Sequence, residues 1–357
     1  MKRINLTGKK FGRLTVVDFE CVCRTKEMNI YHLDNGDIEL ADWIYRRSHD
    51  WVTLIWNVTE KCNFSCPYCI GRPVGHQDRS LENVDPIKII QAFEDTRKII
   101  KKDIFITLTG GEPTLAHGMV TICKELSHRG FKLDLMTNAC SPVVHEFINS
   151  VDPCSVSISM SYHMWKLDKD RALYDRYMTN FHTAWNRGIT TALKIIASPE
   201  IIPTLEKKIN KLRVDLPSDA PILIQNYIEG WVWPKAYTRE MRDTLLHTMK
   251  IRRNSNIAFW DVSGFKGMKC DAGNSLIFMN TSGDFFPCFG IQGLKLGNLM
   301  DGNLKLTGNT ISCPNETCSC TQHGIWYGKN PWDFIKGQKY EDATYNRFGP
   351  GGIKTTE

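Results

Sequence analysis

The sequence of 357 residues lacks any apolar run that approaches the about 18 residues needed to cross a membrane as a helix. Its first ten residues, MKRINLTGKK, lack the apolar core of a secretory signal. These absences predict a cytoplasmic protein without a membrane partner. Hydrophobic residues make up 42% of the chain, which is ordinary for a globular protein. The length allows one large α/β domain together with one or two small ones.

The chain also lacks a large excess of either charge. Its 45 basic and 39 acidic residues give a formal net charge of +6. This mild surplus suits a nucleic-acid substrate, and it equally suits docking of an acidic electron donor such as a flavodoxin. Charge alone therefore does not choose between these partners.

Cysteine, in contrast, is abundant, with 13 residues. In a cytoplasmic chain this number indicates metal or redox chemistry rather than disulfides. Cys62, Cys66 and Cys69 have the spacing C-x3-C-x2-C, with Tyr68 directly before the third cysteine. Three thiolates in one short loop can hold three irons of a [4Fe–4S] cluster and leave the fourth iron open. Zinc with a histidine as its fourth ligand is the alternative, which the spacing alone does not exclude.

A second motif follows the apolar run at 103–109, which predicts a strand ending in a glycine turn. It reads Gly110-Gly111-Glu112-Pro113. Glycines let a backbone approach a ligand closely, and a carboxylate complements an ammonium group. These properties suit a binding turn, and the motif taken alone equally fits a plain turn.

Together the two motifs resemble those of the radical SAM superfamily, in which the open iron chelates S-adenosylmethionine (SAM). The resemblance implies that Cys62, Cys66 and Cys69 are catalytic cluster ligands. It also implies a set of SAM contacts, some from the two motifs and some from later strand ends: Tyr68, Gly110, Gly111, Glu112, Pro113, Asn138, Ser159 and Lys194.

For three of these contacts a plainer interpretation stays open. Asn138 and Ser159 also fit solvated polar residues of loops, and Lys194 also fits a side chain that extends outward to water. Tyr162, His163 and Trp165 follow the fourth strand of the core and are candidates for the substrate pocket. His163 equally fits a hydrogen-bonded loop histidine.

Strands and helices alternate six times from Val52 onward, which predicts a parallel sheet. The resemblance implies a partial (β/α)6 barrel of the TIM type, with its ligands at the carboxyl ends of the strands. We expect four parts, listed in chain order: a small β-rich element at 1–48, the radical SAM core at 49–255, an auxiliary-cluster domain at 256–330 and a tail at 331–357.

The second group of cysteines lies in the third part. Cys270 and Cys288 have the spacing C-x12-G-x4-C, which resembles the entry to SPASM and twitch extensions, and Cys313, Cys318 and Cys320 follow. A full SPASM domain has seven such cysteines, so five favour the twitch type with one auxiliary [4Fe–4S] cluster. Cys270 and Cys288 are the expected ligands, and the sequence does not say which two of the others complete the site. Zinc is again the alternative.

The resemblance implies an enzyme of the oxidoreductase or isomerase type. It would cleave SAM reductively to a 5′-deoxyadenosyl radical, which takes a hydrogen atom from a small-molecule or nucleotide substrate. Oxidation, rearrangement or bond formation would follow. The alternatives are modification of a nucleic-acid base, as in phage DNA hypermodification, or of a ribosomal peptide, and a non-enzymatic Fe–S scaffold. Residues 5–16 resemble the opening of a module found in phage-type HNH endonucleases, which keeps the nucleic-acid alternative open.

Overall fold

The computed structural model describes residues 10–11, 14–21, 29–33, 51–69, 80–218, 220–227, 237–238, 240–241, 243–245, 248, 266–267 and 269–315. The strands are β1 (Lys10–Phe11), β2 (Leu14–Cys21), β3 (Asn29–Leu33), β4 (Trp51–Thr59), β5 (Asp103–Gly110), β6 (Lys132–Thr137), β7 (Val156–Ser161), β8 (Thr190–Ala197), β9 (Ile222–Asn226), β10 (Lys269–Cys270), β11 (Leu276–Met279), β12 (Asp284–Phe286), β13 (Gly297–Asn298) and β14 (Ile311–Ser312).

Helices connect the strands of the core. The α-helices are α1 (Pro86–Ile100), α2 (Met119–His128), α3 (Val144–Ser150), α4 (Met164–Leu167), α5 (Arg171–Asn186) and α6 (Leu205–Asp215). Short 3-10 turns lie at Leu81–Asn83, Pro113–Leu115 and Ile202–Thr204. Helix α1 begins with a cap, because the Asp85 side chain accepts a hydrogen bond from the backbone N–H of Ile87.

The core is a parallel sheet in which β4, β5, β6, β7, β8 and β9 lie side by side in chain order. The six predicted core strands are all present, and helices connect each to the next. Within the described residues the sheet is open, with β9 at one edge and β13 at the other. The prediction of a partial barrel is therefore confirmed. The described residues of the sixth predicted helix, between 240 and 248, are helical.

Successive side chains along each strand point alternately toward the helices and toward the inside of the barrel. Val52, Leu54, Trp56 and Val58 of β4 are at most 2% exposed. The Trp56 ring lies 5.3 Å from the ring of Phe93 on α1, so this face packs against the helices. Burial of such side chains contributes about 1.5–3 kcal/mol each. The residues between them face the inside of the barrel.

The inner face of β7 is polar. Val156, Ile158 and Met160 are buried, whereas Ser157 and Ser159 between them are half-buried. The Ser157 hydroxyl donates a hydrogen bond of 2.8 Å to Asp134 on β6. The barrel therefore presents hydroxyl and carboxylate groups to its interior.

The hairpin of β11 and β12 extends this same sheet. Strand β11 pairs in parallel with β4, from Leu276 opposite Thr53 to Met279 opposite Trp56. All four residues of β11 are buried. This apolar run therefore covers the edge of β4, which would otherwise be open. The place of this hairpin beside the first core strand is a finding that the sequence did not predict.

The structure describes part of the N-terminal element. Strands β1, β2 and β3 form an antiparallel sheet of three strands, in keeping with the expected small β-rich element. The tail at 331–357, and Cys318 and Cys320, lie outside the described residues. Among the helices that the structure describes, none combines the length and the apolar character that a membrane crossing requires.

Candidate active site

The cysteine loop begins where β4 ends. The hydroxyl of Thr59 and the ammonium of Lys61 both contact the Glu82 carboxylate. On the other side, Gly111 N donates to Thr59 O at 2.7 Å and Glu112 N donates to Lys61 O at 2.7 Å. These contacts hold the backbone directly before Cys62, so the two sequence motifs lie side by side.

The two glycines of the second motif are required by this packing. Gly110 has a φ of +126°, and a Cβ there would lie 2.4 Å from Thr59 O. A Cβ at Gly111 would lie 2.2 Å from Lys61 O. The sequence predicted that these glycines approach a ligand, and the close approach that the structure shows is to the backbone before the cysteine loop.

Glu112 is fully buried beneath the loop. Its carboxylate accepts hydrogen bonds from Thr114 Oγ1 at 2.7 Å, Thr137 Oγ1 at 2.8 Å and Asn138 N at 2.8 Å. Burial raises the pKa of Glu112, and these hydrogen bonds oppose the rise. The carboxylate thus joins the end of β5 to the end of β6. Pro113 opens the 3-10 turn that follows it.

Asn138 connects the end of β6 to the cysteine loop. Its Nδ2 donates to Asn63 Oδ1 at 2.7 Å and lies 3.9 Å from Cys62 Sγ. Its Oδ1 accepts from Cys140 N at 2.9 Å, across Ala139, which has a φ of +57°. A non-glycine residue in this region is strained, so the turn that aims Asn138 is held by its surroundings. Asn138 therefore lies at the predicted SAM site, with its amide toward the first cysteine.

His163 connects the end of β7 to the same loop. Its Nδ1 lies 3.5 Å from Cys66 Sγ and 2.9 Å from the Tyr68 hydroxyl. Its ring stacks on Tyr68 at 5.9 Å and meets the Phe64 ring edge-on at 5.5 Å. The sequence suggested His163 only as a pocket residue or a loop histidine. The aromatic run after the fourth strand, including Trp165, was the available signal for this contact.

Burial shifts the titration of these groups. It raises the pKa of the Cys66 thiol to about 11, with the nearby Trp165 indole acting in the opposite direction. It also raises the pKa of Cys62 and that of Tyr68. Burial lowers the pKa of His163 to about 4, so its imidazole is neutral at pH 7. In the metal-free chain, protonated thiols are favoured at Cys62 and Cys66, and a positively charged metal group would release those protons.

The donor set fits an iron–sulfur cluster. Cys62 and Cys69 are exposed and Cys66 is half-buried, so all three thiols are accessible on one loop. Among the described residues, no three His, Cys, Asp or Glu side chains are already placed to hold a metal ion. The fit therefore rests on the chemistry of the three thiols, which are the donors expected for an iron–sulfur cluster with an open iron.

Lys194 points into the barrel. Its Nζ lies 3.9 Å from Met136 Sδ on β6, although β7 separates the two strands. The side chain must therefore cross the inner face, and it does not extend outward to water. Ser159 lies on that face, opposite Met136 on one side and Ala192 on the other. Both predicted contacts thus lie inside the barrel.

The second cysteine group is assembled from separate segments. Strand β10 pairs with β14, with Cys270 opposite Ile311, and Cys313 follows directly. Asn315 Nδ2 donates to Gly290 O at 2.7 Å, which joins this segment to the turn after Cys288. Burial raises the pKa of Cys288 to about 11, and the neighbouring Cys270 and Cys313 add to the rise. Three of the five predicted auxiliary ligands therefore lie in one neighbourhood.

Sequence comparisons agree with this geometry. Residues 56–197 match the family model of the Radical SAM superfamily. GTP 3′,8-cyclase of Haemophilus ducreyi is 34% identical over 110 residues, which are 29% of this chain and 30% of that protein. A putative glycyl-radical enzyme activating enzyme of Methanocaldococcus jannaschii is 34% identical over 103 residues, which are 29% of this chain and 36% of that protein. The matched segments thus span about a third of these relatives' own length.

Solved structures share the fold. Streptococcus suis SuiB bound to S-adenosylmethionine has a TM-score of 0.51 and 13% identity, and covers 75% of this chain and 68% of its own. SuiB bound to its precursor peptide SuiA also has a TM-score of 0.51 and 13% identity, and covers 77% of this chain and 69% of its own. At this identity the likeness concerns the fold alone.

Proposed function

We propose that this chain is a radical SAM enzyme that cleaves SAM reductively and takes a hydrogen atom from a substrate, a proposal supported by the match of residues 56–197 to that family's model. The observation that carries this proposal is the convergence of four elements at one end of the barrel. The cysteine loop, the Gly110–Pro113 turn, Asn138 and His163 all meet there through the contacts described above.

Cys62, Cys66 and Cys69 would hold the cluster, and SAM would bind beside it at this end of the barrel. When bound, the cluster and SAM supply the electron transfer and the 5′-deoxyadenosyl radical that removes the hydrogen atom. The chain's own part is positioning. The Glu112 carboxylate and the Asn138 amide hold the strand ends that carry the loop, and the inner face holds the substrate.

Tyr68, the Gly110–Pro113 turn, Asn138, Ser159 and Lys194 are proposed SAM contacts. Lys194 and Ser159 support this role because both lie on the inner face, where an ammonium and a hydroxyl complement the SAM carboxylate and ribose. Glu112 is proposed to act toward the SAM ammonium mainly by fixing the turn, since its carboxylate is already held by four protein donors.

We propose a small molecule or nucleotide as substrate. The inner face with Asp134, Ser157 and Lys194 suits a polar compound that carries hydroxyl or phosphate groups. The name of the matched GTP 3′,8-cyclase is consistent with a nucleotide. A nucleic-acid base and a ribosomal peptide remain as alternatives.

The second cysteine group would hold one auxiliary [4Fe–4S] cluster on Cys270, Cys288, Cys313 and one of Cys318 and Cys320. The proximity of the first three supports this assignment. A reducing partner such as a flavodoxin would deliver the electron, and the net charge of +6 favours such an acidic protein.

The test is anaerobic reconstitution with iron and sulfide, followed by dithionite and SAM. We expect 5′-deoxyadenosine and methionine to form slowly even without substrate. A Cys69→Ser variant is the control and should form neither. If the reconstituted wild-type protein holds iron and sulfide but produces no 5′-deoxyadenosine, it is the Fe–S scaffold of the alternative interpretation and the enzyme proposal fails.

Substrate class is tested with the same preparation. Nucleoside triphosphates, a duplex and a single-stranded DNA, and a peptide pool are added in parallel. The proposal expects a nucleotide or another small polar compound to raise 5′-deoxyadenosine formation at least tenfold. A comparable rise with DNA alone, weakened by salt, would replace it with the nucleic-acid alternative.

A further inference from the structure

We propose that His163 and Trp165 donate N–H hydrogen bonds to the sulfur of Cys66 and thereby raise the reduction potential of the cluster on the cysteine loop. The inference rests on the proposed function, because it requires a cluster ligated by Cys66. It adds a role for two residues outside both sequence motifs.

The position of His163 is the first support. Its Nδ1 lies 3.5 Å from Cys66 Sγ, within reach of a hydrogen bond to sulfur. The ring cannot turn away easily, since Tyr68 stacks on one face and Phe64 meets it from another side. The imidazole therefore addresses Cys66 in a fixed orientation.

Trp165 supplies the second, independent observation. Its Nε1 is buried and has no hydrogen-bond partner among the described residues. A buried N–H without a partner is costly, and it calls for an acceptor. The Phe64 ring, two residues before Cys66 in the same loop, lies 6.3 Å from the indole ring, which places the indole beside this loop. A thiolate at Cys66 would be that acceptor.

Ligation of iron changes what Cys66 can do. A thiol offers its own proton, whereas a metal-bound sulfur only accepts hydrogen bonds. A neutral His163 with its proton on Nε2 would then direct a bare Nδ1 at the sulfur lone pairs. The tautomer with the proton on Nδ1 instead donates to the sulfur and also faces the Tyr68 oxygen at 2.9 Å. The cluster-loaded protein thus favours the Nδ1–H tautomer.

Hydrogen bonds to cluster sulfurs stabilise the more negative, reduced state. The two donors therefore make the cluster easier to reduce. They also fix Tyr68, because the same His163 nitrogen holds its hydroxyl. We define the Cys66 pocket as Phe64, Tyr68, His163 and Trp165. This pocket would then couple the oxidation state of the cluster to the position of Tyr68, which directly precedes Cys69.

The variants distinguish the effect of the N–H groups from the effect of side-chain packing. His163→Phe and Trp165→Phe keep an aromatic ring but remove the donor, and His163→Asn restores an N–H near the Nδ1 position. His128→Phe is the matched control, because His128 is exposed at the end of α2, far along the chain from the loop. Each reconstituted protein is titrated with reductant and followed by electron paramagnetic resonance, using the signal that SAM alters.

We expect the ratio of reduced to oxidised cluster at a fixed potential to fall about threefold to tenfold in His163→Phe. A tenfold change corresponds to about 59 mV for a one-electron couple. Trp165→Phe should shift the ratio in the same direction, and the double variant should shift it further. His163→Asn should return to within about twofold of wild type, and His128→Phe should not differ from it.

The inference is overturned if His163→Phe and Trp165→Phe hold the same iron as wild type and titrate at the same potential. It is equally overturned if His163→Asn shifts as far as His163→Phe, because packing and not the N–H would then be the cause. Failure of the proposed function has a different signature, since the wild-type protein itself would then show no SAM-sensitive cluster signal.

Discussion

The two cysteine groups are built in opposite ways. Cys62, Cys66 and Cys69 lie on one loop, and residues from the ends of other strands reach in to hold it. Cys270, Cys288 and Cys313 come from separate segments that β10, β14 and the turn after β12 bring together. The first site is therefore local and open, and the second depends on the tertiary fold.

Removal of one thiol from the open loop is expected to have the largest effect. Cys66→Ser should reduce 5′-deoxyadenosine formation below detection, because the third thiolate is needed to leave a single open iron. Iron should fall by about four per chain, and the other about four should remain if the two groups are independent. Iron and sulfide analysis with a SAM-cleavage assay measures both. Loss of all iron would show that the two groups are not independent.

Removal of a thiol from the second group should have the opposite result, with loss of the second cluster and retention of the first. Cys313→Ser should lose about four irons yet keep SAM cleavage without substrate within about threefold of wild type. Parallel Cys318→Ser and Cys320→Ser variants identify the fourth ligand, since one should behave like Cys313→Ser and the other like wild type. If Cys313→Ser retains all its iron, the assignment of Cys313 is wrong.

A backbone change sharpens the contrast further. Gly111→Ala places a Cβ about where Lys61 O already lies, so the turn and the loop must separate. We expect the free energy of unfolding to fall by about 1–3 kcal/mol and the first cluster to be lost preferentially. Gly293→Ala is the matched control, because a Cβ there meets nothing within 4 Å. Urea denaturation of the metal-free proteins gives the stability, and equal values for both variants would contradict the packing role.

The smallest expected effect concerns a side chain that supports a ligand. Asn138→Ala removes the amide that contacts Asn63 and Cys62, and we expect about tenfold faster loss of iron to a chelator. Asn186→Ala, at an exposed position at the end of α5, is the control. Chelation is followed by absorbance under anaerobic conditions. Identical rates of iron loss in the two variants would show that Asn138 stabilises only its own turn and does not support the cysteine loop.

The sequence predicted the strand and the glycine turn that adjoin the cysteine loop. The spacing of Cys62, Cys66 and Cys69 is enough to identify the cluster motif. The apolar run before Gly110 is enough to predict the strand that leads into the glycine turn. Both depend on contacts between residues close in the chain, which a pattern of residue types records. The six core strands were predictable for the same reason.

What the sequence could not predict depends on contacts between distant residues. The short apolar run of β11 can pair with any open strand edge, so its place beside β4 was not evident. Lys194 stands in a strand that is apolar on both faces, so its direction into the barrel needed the structure. His163 meets Cys66 because two loops end at the same edge of the sheet, and no spacing encodes that meeting.

The late partner of β4 has a consequence for how the chain folds. The free edge of β4, from Thr53 onward, pairs with the strand that begins at Leu276. During synthesis on the ribosome, that strand is made only after all six strands of the parallel core. Until then, an apolar strand edge remains open, and such edges favour pairing between different chains. Pairings between residues so distant in sequence also form slowly. Expression at low temperature, or with early cluster insertion to hold the loop after β4, should therefore favour the native chain over aggregates.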